Sequence, residues 1–295
     1  MKKSYLYAAY AIVMWSTIPT ASKLLLGEMD SYMVLCSNSF FAAAALLIIN
    51  LCSKRLSVMK SYSLTDYLKM AAIGLPGVFF YYAFYYAGTA RMLASQAFII
   101  NYLWPIMSIV FACLLLKEKM TVRRIIAVAM SFLGVFTVVG DDIMHFNAGT
   151  MLGILFCFGA AVCYGLFTAL NKKSHYDKYV SMMVAMLTAF VLSLIIVLLR
   201  GGDITVAPVQ LPGIIWSGVF SMALANLSWA LALSCGNTAK VSNLAYITPF
   251  LSLAWTFFIL KEPIDPISVV GLCMIVVGIT VQLMGPKTLK ANTHS

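Results

Sequence analysis

Apolar residues recur along this chain in long, nearly unbroken blocks separated by short polar breaks. The blocks fall at about 5–26, 32–52, 67–88, 93–116, 123–140, 150–171, 179–200, 213–235, 240–260 and 265–285. A helix needs roughly 20 apolar residues to cross a bilayer. Strands of a membrane barrel are about ten residues long and alternate in character, so runs of this length exclude them. In hydrocarbon every backbone N–H and C=O must find its partner within the protein, which leaves helices. The pattern predicts an all-α membrane protein of ten transmembrane helices, spans 1 to 10 in chain order. The longest predicted connection, about residues 53–66, leaves no room for a soluble domain. The first block follows Lys2 and Lys3 and is too long for a signal-peptide core, so it is expected to remain as a first helix.

Composition agrees with lipid as the solvent. Of the 295 residues, 62% are hydrophobic and 10% charged, with a mean hydropathy of +0.93. A soluble domain carries about 25% charged residues. The 20 Lys and Arg against 10 Asp and Glu would suit nucleic acid or an anionic substrate, but their positions argue otherwise. With the N-terminus placed in the cytoplasm, 16 of the 20 basic residues fall at inner span ends, leaving Lys23, Arg91, Arg200 and Lys261 outside. That is the positive-inside bias of an inner-membrane protein with both termini cytoplasmic, and no nucleic-acid partner is implied. The seven cysteines lie in or beside apolar runs without a C-x-x-C pair, so neither disulfides nor zinc is indicated.

An internal repeat appears at a constant offset of 144. It pairs Tyr102 with Tyr246, Pro105 with Pro249, Ser108 with Ser252, Lys117-Glu118 with Lys261-Glu262, and Gly134 with Gly278. A second register, offset by 149, pairs Lys23 with Lys172 and Trp15-Ser16 with Tyr164-Gly165. Each copy holds five spans, an odd number, so the second must cross the membrane in the opposite sense. The expected organisation is two inverted five-helix repeats, residues 1–145 and 146–295. Inverted repeats with a midplane site at their interface are a feature of secondary transporters.

Candidate chemistry points the same way. The histidines, His145, His175 and His294, lie in loops or the tail, and no hydrolytic, phosphate-cradling or metal motif occurs. No catalytic residue, metal or cofactor is expected. Three prolines, Pro19, Pro105 and Pro249, lie deep in spans, where each removes a backbone donor and leaves the carbonyl four residues earlier unbonded. These carbonyls belong to Trp15, Asn101 and Ala245, and the prolines are read as hinges. Around Pro105, the segment Asn101-Tyr102-Leu103-Trp104 sits at mid-depth, where Trp and Tyr do not serve the interfacial belt. Asn101, Trp104, Pro105 and Ser108 share one helical face. An amide at the membrane centre is costly and normally points into the bundle. Trp15, Tyr81, Tyr82, Tyr85, Tyr164, Asn226, Trp229, Asn243 and Tyr246 complete the candidate substrate-binding set. An aromatic-lined cavity with a few amides suits a flat, partly apolar solute.

Ten spans in a five-plus-five inverted repeat, with matched Pro and Lys-Glu, resemble the EamA-type members of the drug/metabolite transporter superfamily over essentially the whole chain. Within it, "IVMWST" (12–17), "NYLWP" (101–105), "TALNK" (168–172) and "YITPFLS" (246–252) resemble the bacterial aromatic amino acid exporters. The resemblance implies a cavity formed by spans 1, 3, 4, 6, 8 and 9, lined by Trp15, Tyr82, Tyr85, Asn101, Tyr102, Trp104 and Tyr164. It implies export of aromatic or other neutral amino acids by alternating access. Another small metabolite or drug is the alternative solute, and a membrane-embedded enzyme or scaffold the alternative class. The expected partners are a small-molecule substrate and the lipid bilayer, with the protein a monomer or weak dimer. Every acidic residue is placed in a loop or at a span end, and Lys23 and Lys240 are expected to snorkel to the interface. With no buried acid or histidine to relay a proton, a facilitator or exchanger is expected.

Overall fold

The structure, a computed structural model, describes residues 2–144, 147–235 and 244–283. Among these residues the chain is helical almost throughout and contains no strand. Span 1 is divided at Thr17 into Lys2–Ser16 and Ile18–Leu26. Spans 2, 3 and 4 are Ser31–Cys52, Leu64–Thr89 and Ala94–Leu115. Span 5 is Val122–Met144. Spans 6, 7 and 8 are Ala148–Lys173, Lys178–Leu199 and Pro208–Ala232, and span 8 continues helically to Cys235. Span 9 is Ala245–Leu260 and span 10 is Pro266–Leu283. Spans 2, 3, 4, 6, 7 and 8 are each long and apolar enough to cross a membrane by length and composition. One further short helix, Leu56–Ser61, lies on the surface between spans 2 and 3.

Local chemistry starts the spans where the apolar blocks begin. The Asp30 carboxylate accepts from Tyr32 N–H at the head of span 2, and Ser63 and Asp66 form a reciprocal capping box at the head of span 3. Asn147 and Asp177 do the same for spans 6 and 7, each accepting from two backbone N–H groups. Spans 4 and 9 end alike. Lys117 and Lys261 both take left-handed backbone angles (φ 55° and 58°). The next N–H, of Glu118 or Glu262, then reaches the carbonyl six residues back, Ala112 or Thr256. These residues are equivalent at the offset of 144, so the repeat extends to the backbone of a turn.

Packing follows the repeat crosswise. Span 6 packs on spans 3 and 4, and their equivalents, span 1 on spans 8 and 9, make the matching contacts. Span 2 meets span 7, and span 5 meets span 10. At the last seam a Cβ added to Gly134 would lie 2.5 Å from the Gly271 carbonyl oxygen, and one on Gly271 would lie 2.4 Å from that of Gly134. Such approach requires glycine, and small residues are what allow helices to associate where lipid already matches the apolar side chains. Spans 5 and 10 thereby form a pair outside the central cavity.

All three mid-span prolines stand in the first turn of a new helical segment. Pro19 opens Ile18–Leu26, Pro105 opens Trp104–Leu115 after a turn at Tyr102–Leu103, and Pro249 opens Thr248–Trp255 after a 3₁₀ turn over Ala245–Ile247. A first-turn N–H has no helical partner, so proline is tolerated there. Spans 3, 8 and 9 also contain π-helical stretches, Pro76–Phe80, Trp216–Leu224 and Thr256–Leu260, which the apolar pattern did not predict. Such widened turns tend to occur at functional sites.

Candidate functional site

The broken spans meet at mid-bundle around an aromatic chamber. Its walls include Trp15 and Ile18 of span 1, Gly77, Val78, Tyr81 and Tyr82 of span 3, and Phe98, Asn101, Tyr102 and Trp104 of span 4. Tyr164 and Phe167 of span 6, Met182 and Met186 of span 7, Asn226 of span 8, and Ala245 and Thr248 of span 9 complete them. The turn at Tyr102–Leu103 separates Asn101 from Trp104 and lets both reach the chamber. Trp104 stands edge-on to Tyr164, with ring centres 5.1 Å apart at 81°, and Tyr164 leans on Tyr81 at 4.9 Å. Trp15 meets Trp229 across the interface of spans 1 and 8 at 5.3 Å. Pairs at these separations favour tilted and edge-to-face geometry because ring faces are negative and ring edges positive.

Polar groups in the walls are few and mostly committed. Asn101 donates its amide N–H to the Tyr81 hydroxyl at 3.0 Å, and its carbonyl oxygen, buried, has no partner among the described residues. Asn226 donates to the Met222 carbonyl at 2.6 Å. Tyr102 donates to the Ala245 carbonyl at 2.5 Å, the carbonyl that Pro249 leaves without its helical donor. No Lys, Arg, Asp or Glu lines the inner chamber among the described residues. The chamber therefore offers stacking faces and a hydrogen-bond acceptor, and no countercharge.

The inner chamber is small, about 50 Å³, enough for a few waters. It leads into a vestibule of about 470 Å³ through six shared walls, Trp15, Trp104, Tyr164, Phe167, Met182 and Asn226. The vestibule is the size of a small-molecule site. It runs along the near halves of spans 3, 6, 7 and 8 to Asn171 and Lys178. These residues lie at the face that carries the chain start and the turns 53–63, 116–121 and 174–177, here called the N-terminal face. Lys178 bonds Asn171 and Ser174 at the mouth.

Toward the opposite face the route is shut by contacts between spans. Lys23 donates to the carbonyls of Thr89 and Met92 at 2.8 and 2.6 Å, where span 3 ends. Glu262 is only 7% exposed, and accepts from Ala94 N–H at 2.7 Å and from the N–H and hydroxyl of Ser95 at 3.0 and 2.7 Å, where span 4 begins. Lys23, expected to snorkel, extends to the span 3–4 turn, where carbonyls hold its head. Glu262 lies in a turn at a span end, as expected of every acid, and its carboxylate is drawn in to complete a helix N-terminus. At the N-terminal face its equivalent Glu118 accepts from Lys172 at 2.8 Å and Arg124 at 2.7 Å. Lys172 and then Arg124 hold its carboxyl below the usual glutamate range.

Of the predicted substrate-binding residues, Trp15, Tyr81, Tyr82, Asn101, Tyr102, Trp104, Tyr164 and Asn226 come together in the chamber, and Trp229 lines the vestibule. Tyr85 does not line it. Fully buried behind Tyr81, it stacks parallel to that ring at 6.0 Å. Tyr246 packs against the core beside the chamber without lining it. Asn243 and Lys240 lie outside the described residues. Sequence reasoning left out span 7, whose Met182 and Met186 sit one turn apart on the chamber, and Phe98 and Phe167. Their spacing carried a readable stripe, but apolar residues in apolar spans do not stand out.

Comparison with known proteins agrees with this architecture. The EamA-like transporter family matches twice, over residues 2–140 and 151–284. An uncharacterized transporter of Clostridium kluyveri is 26% identical, covering 99% of this chain and 96% of its own. Another from Archaeoglobus fulgidus is 23% identical over 94% and 96%. The uncharacterized transporter YyaM of Bacillus subtilis is 23% identical over 81% and 79%. A protein of known crystal structure superposes with a TM-score of 0.70 at 19% identity, over 95% of this chain and 96% of that one, which supports the fold. Ten helical spans around a central chamber, matched by one family in both halves, lead to one conclusion: the chain belongs to the EamA-like transporter family of the drug/metabolite transporter superfamily.

Proposed function

We propose that this multi-pass small-molecule transporter exports aromatic or other neutral amino acids across a bacterial inner membrane by alternating access. The observation that supports this most is the chamber itself, six Trp and Tyr rings around one free amide oxygen with no charged wall among the described residues. A cation would call for a buried carboxylate there and a phosphorylated solute for a buried base. A zwitterion with a flat side chain carries no net charge, and its ammonium and carboxylate can be met by the Asn101 amide oxygen and by backbone groups at the breaks in the spans. Both termini are placed in the cytoplasm, so the vestibule faces inward, as loading for export requires. Residues 1–145 and 146–295 are the two moving repeats, with Pro19, Pro105 and Pro249 at their hinges, and the working unit is a monomer or weak dimer.

Glu262 is buried but lies away from the chamber, so among the described residues no acid or histidine lines the chamber or vestibule as a proton relay, and the expected mode is facilitation or exchange. The test is counterflow of labelled phenylalanine, tryptophan and a panel of neutral, acidic and basic amino acids in proteoliposomes, with and without a pH gradient. Aromatic solutes should exchange fastest, unaffected by the gradient. Exchange of none of the panel would transfer the site to another metabolite or drug. Accumulation that follows the gradient and collapses with a protonophore would overturn facilitation.

A further inference from the structure

Glu262 and Lys23 grip one turn by both of its polarities. Span 3 ends at Thr89 with its carbonyls outward, the negative end of a helix, and Lys23 takes the carbonyls of Thr89 and Met92. Span 4 begins at Ala94 with its N–H groups outward, the positive end, and Glu262 takes two of them together with the Ser95 hydroxyl. The carboxylate comes from the second repeat and the turn from the first, so this contact crosses the interface that must open. It stands on the closed side of the chamber. Ala94 is one helical turn, about 6 Å, before Phe98 of the chamber wall, and Lys23 is about 7.5 Å beyond Ile18 by helical rise.

The repeat supplies a second copy of the same parts at the other end. Glu118 is the equivalent of Glu262, set by the same left-handed lysine turn, and Lys172 is the equivalent of Lys23. They also come from opposite repeats. At that end, where the vestibule is open, Glu118 is partly exposed and holds the Lys172 and Arg124 side chains rather than a helix start. One carboxylate is inserted at the shut end and its twin lies on the surface at the open end.

We propose that Glu262 and Lys23 are the latch of the face opposite the N-terminus, and that Glu118 and Lys172 are its counterpart at the N-terminal face. The carrier changes state by withdrawing the inserted carboxylate from the turn that it caps. This rests on the chamber being the transport path but not on the identity of the solute, so it is tested without one.

The probe is an impermeant thiosulfonate applied to the full chain in a cysteine-free background carrying F98C, in sealed membranes of each orientation. With the latch intact, F98C should react slowly from the Glu262 side. E262Q removes the charge that holds two N–H groups and a hydroxyl, and should raise that rate about ten- to a hundredfold, the factor expected for losing charge-assisted hydrogen bonds. S95A, which removes one bond and leaves the cap, should give a smaller rise and decides the matter if E262Q does not fold. K23M should act in the same direction, while E118Q should not accelerate labelling from that side. D203N removes an acid at the same face away from the latch and should change nothing. Unchanged labelling in folded S95A and E262Q or K23M would overturn the proposal, as would equal acceleration by E118Q, because a merely structural cap would loosen the protein without choosing a side.

Discussion

Trp104 shows how much one residue can decide. Its ring borders both chamber and vestibule and meets Tyr164 and Tyr102 edge-on at 5.1 and 6.4 Å. Truncation to alanine removes a stacking wall and two aromatic contacts, each worth about 0.5–1.5 kcal/mol, but no lipid contact on which insertion depends. Trp104→Ala should therefore insert and purify normally while exchange of phenylalanine falls about tenfold or more. The lipid-facing F258A, at a residue 65% exposed, serves as the control. Unchanged kinetics for phenylalanine and tryptophan in the Trp104 variant would remove the aromatic chamber from the mechanism. Such residues were legible in the sequence because Trp, Tyr and Asn at mid-span are conspicuous against Leu and Val. What was not legible was which of them face inward. Tyr81, Tyr82 and Tyr85 follow one another on span 3, yet Tyr85 is spent on packing behind Tyr81. Nor did sequence pattern reveal that Asn38 of span 2 donates to Tyr86 of span 3 at 2.9 Å, since which faces of two neighbouring helices meet is set by their packing.

At the scale of the element, length and position of the spans were readable from apolar runs and their capping residues, and the prolines marked the breaks. The π-helical stretches were not, since an extra residue in one turn is fixed by what packs against it. Span 3 widens at Pro76–Phe80, where a Cβ on Gly77 would lie 2.1 Å from the Phe167 ring of span 6. Pro105 belongs at this scale too. It starts the lower half of span 4 and holds Trp104 turned away from the line of Asn101. Pro105→Ala would restore an N–H that can bond the Asn101 carbonyl, and a continuous helix would rotate Trp104 out of register. Exchange should drop several-fold with little change in thermal stability, because a proline in the first turn of a helical segment costs that segment little. Wild-type exchange by P105A would show that the break is only a packing kink. The indoles of Trp216 and Trp255 bond Thr17 and Ser16 at 2.9 and 3.0 Å, so the break in span 1 is also tied to spans 8 and 9.

At the scale of the whole molecule, the odd number of spans per repeat requires opposite orientations. Single cysteines at Lys119 and Lys261, in a cysteine-free background, should label from opposite sides of the membrane, and labelling from one side would refute the inverted repeat. The offset of 144 announced that symmetry. It did not announce that the halves are interleaved, with span 6 lodged against spans 3 and 4 while span 1 lodges against spans 8 and 9.

That interleaving bears on how the protein is made. Span 1 enters the membrane long before spans 8 and 9 exist, and span 3 before span 6. The growing chain must therefore hold Ser16, Thr17 and the Tyr81 ring in lipid, or against the insertion machinery, without their final neighbours. The first repeat is thus a waiting intermediate, and its maturation is timed by synthesis of the second. A ribosomal pause near the midpoint of the message would prolong the interval in which the nascent bundle is open to quality-control proteolysis.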